Sequence, residues 1–271
     1  MTLLDRLGIL FPGSSRRSRK HWLERGRVRV NDHVLRRGDA PVTPADRIEL
    51  GPPPPPAFPS ALGLVHEDDE IIVIDKPPGL LTIATAHERE RTAYRMLADY
   101  VAGQPGRRLF IVHRLDRETS GLLVVAKSAV AKRALQEQFA ARAVERRYVA
   151  VVEGHPREAS GLLRSHLTTD RSLRVRSGPR REDGKEAITS YRVMERRRGT
   201  ALVELSLTTG RRAQIRAQLA ALGHPIVGDL AYGARSNPVR RVCLHATRLA
   251  FRSQAGRRMT FESPVPASFA G

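Results

Sequence analysis

A single cysteine, Cys243, stands in the chain, which excludes an intrachain disulfide and any metal site built on several thiolates. It lies in an apolar stretch, Val242 to Leu244, and reads as core. The nine histidines show no metal-ligand spacing, and His224 and His245 are too isolated to argue for a ligand pair. There is no GxGxxG string and no Gly-rich loop closing on Lys-Ser or Lys-Thr, so nothing points to a bound nucleotide cofactor. Charged residues break every apolar run before it reaches membrane-spanning length. Asp5 and Arg6 stand where a signal peptide would need its apolar segment, and Asp5 with Glu24 weighs against a transit peptide in Ser14 to Lys20. These absences predict a cytoplasmic protein with no membrane partner. Aromatic residues are scarce at 5%, so one near a site is informative.

What the chain has in excess is arginine. Lysine plus arginine outnumber the acids 47 to 28, for a net charge of +19, and only Lys20, Lys76, Lys127, Lys132 and Lys185 are lysines. Guanidinium forks match phosphate oxygens and stack on bases, so the balance suits a nucleic-acid partner. With 271 residues, 41% of them apolar, the chain can build one large domain with a small appendage.

Gly51 and the five prolines Pro52 to Pro56, followed by Phe58-Pro59, mark a stiff spacer over residues 52–60. It separates a small domain, 1–51, from a large one, 61–271. In the small domain Leu3, Leu4 and Leu7 recur at helical spacing, and Ser14 or Ser15 can cap a second helix ended by Gly26. That helix carries Arg16, Arg17, Arg19 and Lys20, a candidate phosphate-tracking face. Arg27-Val28-Arg29-Val30 alternates as a strand, Asn31-Asp32 supplies a turn, and Ile48 and Leu50 fit a closing strand. A fifty-residue core is marginal, so this segment reads as a binding module.

In the large domain, strands are expected over 71–74, 122–126, 148–152, 188–193, 201–207 and 242–251. Helices are expected after Thr92 (with Met96, Leu97, Tyr100 and Val101 on one face and Gly103 at its end), from Ser128 to about Ala141, and over 211–222. Several strands follow one another without an intervening helix. That predicts an α+β fold with a large, mainly antiparallel mixed sheet flanked by helices, not a doubly wound one.

The chemistry centres on His113-Arg-Leu-Asp-Arg-Glu-Thr-Ser-Gly121, which runs into the apolar Leu122 to Ala126. Asp116 stands between Arg114 and Arg117, and a nearby cation favours a charged carboxylate. Fixed at a sheet edge, it could serve as nucleophile or general base. Taken alone, a surface ion pair would explain it as well.

Three further segments accompany it: Lys76-Pro-Pro-Gly79, Arg147-Tyr-Val-Ala-Val-Val-Glu-Gly154, and Thr209-Gly-Arg-Arg-Ala-Gln-Ile-Arg216 running to Gly223-His-Pro-Ile-Val-Gly-Asp229 and Tyr232-Gly233. In this order the four resemble the RluA-type family of RNA pseudouridine synthases, over nearly all of residues 61–262. The first fifty residues resemble the S-four-like RNA-binding domain, named after a ribosomal small-subunit protein. The resemblance implies the pseudouridine synthase fold, isomerisation of uridine within RNA, and no metal or other cofactor. It makes Asp116 the catalytic aspartate and Arg114 the arginine that fills the gap left by the extruded base. It makes Tyr148 the ring that stacks on the uracil, Arg216 the partner of the aspartate, and Ile215 a pocket wall. Ribosomal RNA is the favoured substrate, with transfer RNA open, and nothing requires more than a monomer.

Some residues depart from the family or stand outside its chemistry. Members usually carry Thr-His before Gln-Ile-Arg, where this chain has Arg212 and Ala213. His113 and Glu118 read as loop-stabilising residues, and Lys76 as structural or RNA-touching. Two other classes fit less well. A non-catalytic ribosome-assembly factor would not need Asp116, Tyr148 and Arg216 together, and a base-cleaving glycosidase wants two carboxylates about 5 Å or more apart.

Overall fold

The computed structural model describes residues 1–52, 57–86, 88–102, 108–170, 174–180 and 182–270. Most of the proline run, Pro53 to Pro56, and the expected helix end at Gly103 lie outside the described residues. The chain divides into two compact units, the first running from Met1 to Ala57 and the second beginning at Phe58.

The first unit holds helices α1 (Leu3–Leu10) and α2 (Arg16–Glu24) and strands β1 (Val28–Val30), β2 (His33–Val34) and β3 (Ile48–Leu50), in antiparallel order β2-β1-β3. Ser15 caps α2 by accepting from the Ser18 N–H at 3.0 Å. Asn31 and Asp32 both have positive φ, 47° and 68°, the backbone that a tight two-residue hairpin turn requires. Alternation on β1 buries Val28 and Val30 against Leu3, Leu4, Leu7 and Leu23 and leaves Arg29 exposed.

The second unit is α+β. Its strands are β4 (Gly63–Glu67), β5 (Ile71–Lys76), β6 (Phe110–Ile111), β7 (Ser120–Ala126), β8 (Glu145–Glu153), β9 (Ser160–Thr169), β10 (Val175–Gly178), β11 (Lys185–Arg197), β12 (Thr200–Leu207), β13 (Leu244–Arg252) and β14 (Arg258–Glu262). Its helices are α3 (Ala93–Ala102), α4 (Ala129–Ala140) and α5 (Gln214–Ala221). Among the described residues the strands form one sheet, ordered β10-β9-β11-β12-β8-β13-β7-β5-β4, with β14 beside β13 and β6 beside β7. Pairing is antiparallel except between β13 and β7.

Both faces of the central strands are covered, which is why they read as continuous apolar runs. On β5, Ile72 and Ile74 pack with Leu97 and Val101 of α3, while Ile71 and Val73 pack with Ala131 and Leu135 of α4. Thr92 and Ser128 cap these helices, accepting from the N–H groups of Arg95 and Ala131. Cys243 is buried in the same core.

One expectation needs correction. The last helix begins at Gln214 rather than Arg211, because Ala213 takes a left-handed conformation (φ 49°). The Gln214 side chain binds the turn before it, accepting from the Thr209 hydroxyl (2.9 Å) and the Arg211 N–H (3.0 Å). In the second unit, strands β4, β6, β9, β10 and β14 come in addition to those expected from the sequence.

Candidate active site

The loop that carries Asp116 enters the sheet at the parallel junction of β7 and β13. Gly121 has φ 106°, and a Cβ there would run into the backbone of Ala246, so the close approach of the two strands needs glycine. Upstream, the loop is pinned residue by residue. Thr82 Oγ1 donates to the Leu115 carbonyl (2.7 Å) and accepts from the Leu115 N–H (3.2 Å). The Gly79 N–H donates to the Arg117 carbonyl (2.8 Å). Lys76 is fully buried, and its Nζ donates to the carbonyls of Pro77 (2.8 Å), Leu80 (2.8 Å) and Arg117 (3.3 Å). Burial draws its pKa down to about 8, against the pull of Glu118 and Asp116. The Lys76-Pro-Pro-Gly79 turn is therefore a clamp on the Asp116 loop, and its lysine is out of reach of a ligand.

The flanking arginines do not hold Asp116. Arg117 Nε donates instead to the Gly79 carbonyl (3.1 Å), and Arg114 is exposed. Asp116 opens a turn, its carbonyl accepting from the Thr119 N–H (3.2 Å), and its ion pair is made across the fold. Arg216 Nη1 lies 3.8 Å from Asp116 Oδ2.

Arg216 sits on the first turn of α5, and two buried glutamines fix that helix to the sheet. Gln214 Nε2 donates to the Ile188 carbonyl and Thr189 Oγ1. Gln218 Nε2 donates to the carbonyls of Leu163 and Ala187, while its oxygen accepts from Thr189 Oγ1 at 2.6 Å. Arg216 is then gripped by Asp229, which is itself buried. Its Nε donates to Oδ2 at 2.6 Å and its Nη2 to Oδ1 at 2.8 Å. Tyr232 lies under the guanidinium, 4.9 Å from ring centre to Cζ, with Arg174 on the ring at 5.1 Å. Burial opposes the charge of Arg216, but the Asp229 hydrogen bonds and the nearby carboxylates outweigh it and its pKa is raised.

Asp116, Tyr148, Ile215, Arg216 and Arg114 all line one cavity of about 460 Å³, within the roughly 300–1,000 Å³ of small-molecule sites. Asp116 is the one carboxylate on its wall among the described residues. Tyr148 is buried on β8, and burial raises its pKa to about 12. His113 accepts from the Val124 N–H (3.1 Å) and stacks on Phe139, and burial holds its pKa near 3. Asp229, Gln214, Gln218 and Thr82 carry the site without having been assigned a role from the sequence. Gln214 and Asp229 had a signal in standing inside the quoted motifs, whereas Gln218 and Thr82 had none.

In the first unit Arg16, Arg17 and Lys20 line an exposed groove on α2. Arg19 does not join them. Its guanidinium is packed against Gly8, and a Cβ on Gly8 would overlap it. Among the described residues no helix is long and apolar enough to cross a membrane, and no cluster of potential metal ligands occurs.

Residues 70–221 match the family described as RNA pseudouridylate synthase. The chain is similar to the ribosomal large subunit pseudouridine synthase D of Pseudomonas aeruginosa, 36% identical over 295 residues, covering 98% of this chain and 89% of the relative. The protein of the same name from Haemophilus ducreyi is 34% identical over 97% of this chain and 87% of its own length. An uncharacterized RNA pseudouridine synthase of Bacillus subtilis is 33% identical over 94% and 88%. Among solved structures, human RNA pseudouridylate synthase domain containing 4 aligns with a TM-score of 0.63 at 26% identity, covering 77% of this chain and 90% of that one.

Proposed function

The chain belongs to the RNA pseudouridylate synthase family, and from this we propose that it isomerises uridines of ribosomal RNA with Asp116 as the catalytic residue. In that reaction the bond from ribose C1′ to N1 of the base gives way to one from C1′ to C5. A proton leaves C5, one is taken up at N1, and the composition of the RNA is unchanged. Neither an electron acceptor nor a second substrate enters the balance.

One observation carries the assignment. Asp116 is the single acid on the cavity wall among the described residues, and the other candidates for proton transfer are disabled. His113 has a nitrogen occupied by a backbone N–H and a pKa near 3, while Tyr148 is raised to about 12. Asp116 is left to attack the sugar or take the proton. Arg216, held by Asp229, orients it and balances its charge. Tyr148 and Ile215 form the apolar slot for a uracil swung out of the RNA stack, and the exposed Arg114 takes the vacated space. Among the described residues no second carboxylate lines the wall, which disfavours base cleavage, a reaction that uses two.

The relatives named for the large ribosomal subunit favour ribosomal RNA over transfer RNA. Arg16, Arg17 and Lys20 of an S-four-like module over residues 1–51 add phosphate affinity, with the catalytic domain over 61–271. Action as a cytoplasmic monomer, without metal or other cofactor, belongs to the same proposal. The test is to incubate large-subunit ribosomal RNA with the protein and digest it to nucleosides. Pseudouridine without free uracil is expected, and Asp116→Asn should abolish it while RNA binding persists. Free uracil, or binding with no product, would refute the isomerase.

A further inference from the structure

Arg146 lies on the wall of the same cavity, on β8, two residues before Tyr148. It is about nine-tenths buried, and among the described residues no carboxylate lies within ion-pair distance of it. Its Nη2 makes two long hydrogen bonds, to the carbonyls of Leu207 (3.3 Å) and Thr208 (3.4 Å), and its Nε has no partner. Phe139 supports the guanidinium at 5.5 Å. Gly210 makes room for it, since a Cβ at 210 would overlap Nη1. Burial pulls its pKa down, the response of a cation whose charge is not matched inside the protein.

A buried charge without a counter-charge is costly unless a ligand supplies one. The substrate cavity admits RNA, whose bases and riboses are neutral and whose phosphodiesters are the only anions. Uracil carbonyls could accept a hydrogen bond from Arg146 but would leave its charge unbalanced. The rim points the same way. Arg142, on the left-handed residue that closes α4, and Arg211 are both exposed on the wall of the same cavity and add positive charge to it. We propose that Arg146 is the seat of a phosphate adjoining the extruded uridine, so that the cavity binds a nucleotide rather than a base. The proposal rests on the isomerase reading for the identity of the ligand and on Arg146, Gly210 and Phe139 for the seat.

Protein-detected NMR titration of the full chain with uridine, uridine 3′-monophosphate and uridine 5′-monophosphate tests it without turnover. The wild type should favour at least one monophosphate over uridine by about tenfold or more, as a charge-assisted fork to phosphate implies. Arg146→Gln should erase that preference, and Arg146→Lys should keep part of it. Gly210→Ala, which leaves the arginine in the chain but takes the space of its Nη1, should weaken the preference without removing a charge. If the wild type binds uridine and both monophosphates alike, undetectable binding included, the seat does not exist. If Arg146→Gln keeps the preference, the phosphate sits elsewhere and Arg146 is only a packing residue. The wild-type comparison stands even if a variant fails to fold. A protein that makes no pseudouridine yet keeps the monophosphate preference would overturn the activity and spare the seat, and the converse result would do the opposite.

Discussion

Arg216 grips Asp229 with two of its nitrogens and turns the third toward Asp116, 3.8 Å away. The two carboxylates have different surroundings. Asp229 is sealed and spends both oxygens on the guanidinium, whereas Asp116 faces the cavity and shares only its edge. With Asp116 as the proposed reacting group, Asp229 is a positioning residue, and the freedom of Asp116 to react would depend on how firmly Arg216 is already held.

Asp229→Asn should separate these roles. It preserves shape but removes a charge from a buried pair, a loss that costs about 3 to 5 kcal/mol when one partner of such a pair is deleted. Arg216 would then have Asp116 as its only anionic partner among the described residues and be drawn onto it. We expect kcat to fall by about tenfold or more, with KM for RNA changed far less, because the missing interaction bears on the reacting group rather than on binding. Steady-state kinetics and thermal melting of the same preparation measure both effects. Reduced stability with an unchanged kcat would make Asp229 a structural residue only.

On α2, the charged residues should divide by exposure. Replacing Arg16, Arg17 and Lys20 together with glutamine should weaken RNA binding and flatten its salt dependence, by about 0.7 to 0.9 in the log–log slope for each phosphate no longer neutralised. Arg19→Gln should leave the slope nearly unchanged and lower the stability of the small unit, since that guanidinium is packed against α1 at Gly8. Filter binding across a salt series, with melting curves alongside, distinguishes the two. Equal effects on the slope would mean that Arg19 also reaches RNA.

The contrast between Asp116 and Asp229 also shows how much of the molecule is legible in the chain. Covered strands such as Ile71–Lys76 and Ser120–Ala126 declare themselves as apolar runs, and capped helices as Thr92 and Ser128. The strand Ser160–Thr169 does not, because it carries Arg164, Ser165 and His166 and is mostly part-exposed, so neither alternation nor an apolar run marks it. The start of α5 is hidden because a side chain, Gln214, replaces backbone bonds in the turn before it. At the site, the contiguous motif locates Asp116, but its local neighbours are the wrong partners. Arg117 is turned to Gly79, and the effective cation comes from a distant helix set by Gln214, Gln218 and Asp229. Arg146 is invisible for a related reason. A basic residue on a strand reads as outward-facing, and only the packing of Phe139 and Gly210 shows it to be inside.

Beside the Asp116 loop, a chain of buried donors sets the pH range of the fold. Arg241 Nη2 donates to Ser120 Oγ (2.6 Å), whose hydroxyl can donate to His245 Nδ1 (2.7 Å). His245 Nε2 then meets Ser263 Oγ (2.9 Å), which donates to Asp75. This direction of donation works only if His245 is neutral, with its proton on Nε2. Burial accordingly lowers its pKa to about 4, with Asp75 opposing and Arg241 reinforcing, and His113 is held near 3. Unfolded, both histidines titrate near 6.5. Between pH 6.5 and about 4 the unfolded chain therefore binds protons that the native protein refuses. The stability present above pH 6.5 should be lost as pH falls through that window, at up to about 1.4 kcal/mol per pH unit for each histidine. Urea unfolding at pH 7, 6 and 5 and constant ionic strength should show the decline, and His245→Gln, which can still bridge Ser120 and Ser263, should make it shallower. A stability that stays level from pH 7 to 5 would mean that His245 accepts a proton in the folded state and that the donor chain runs the other way.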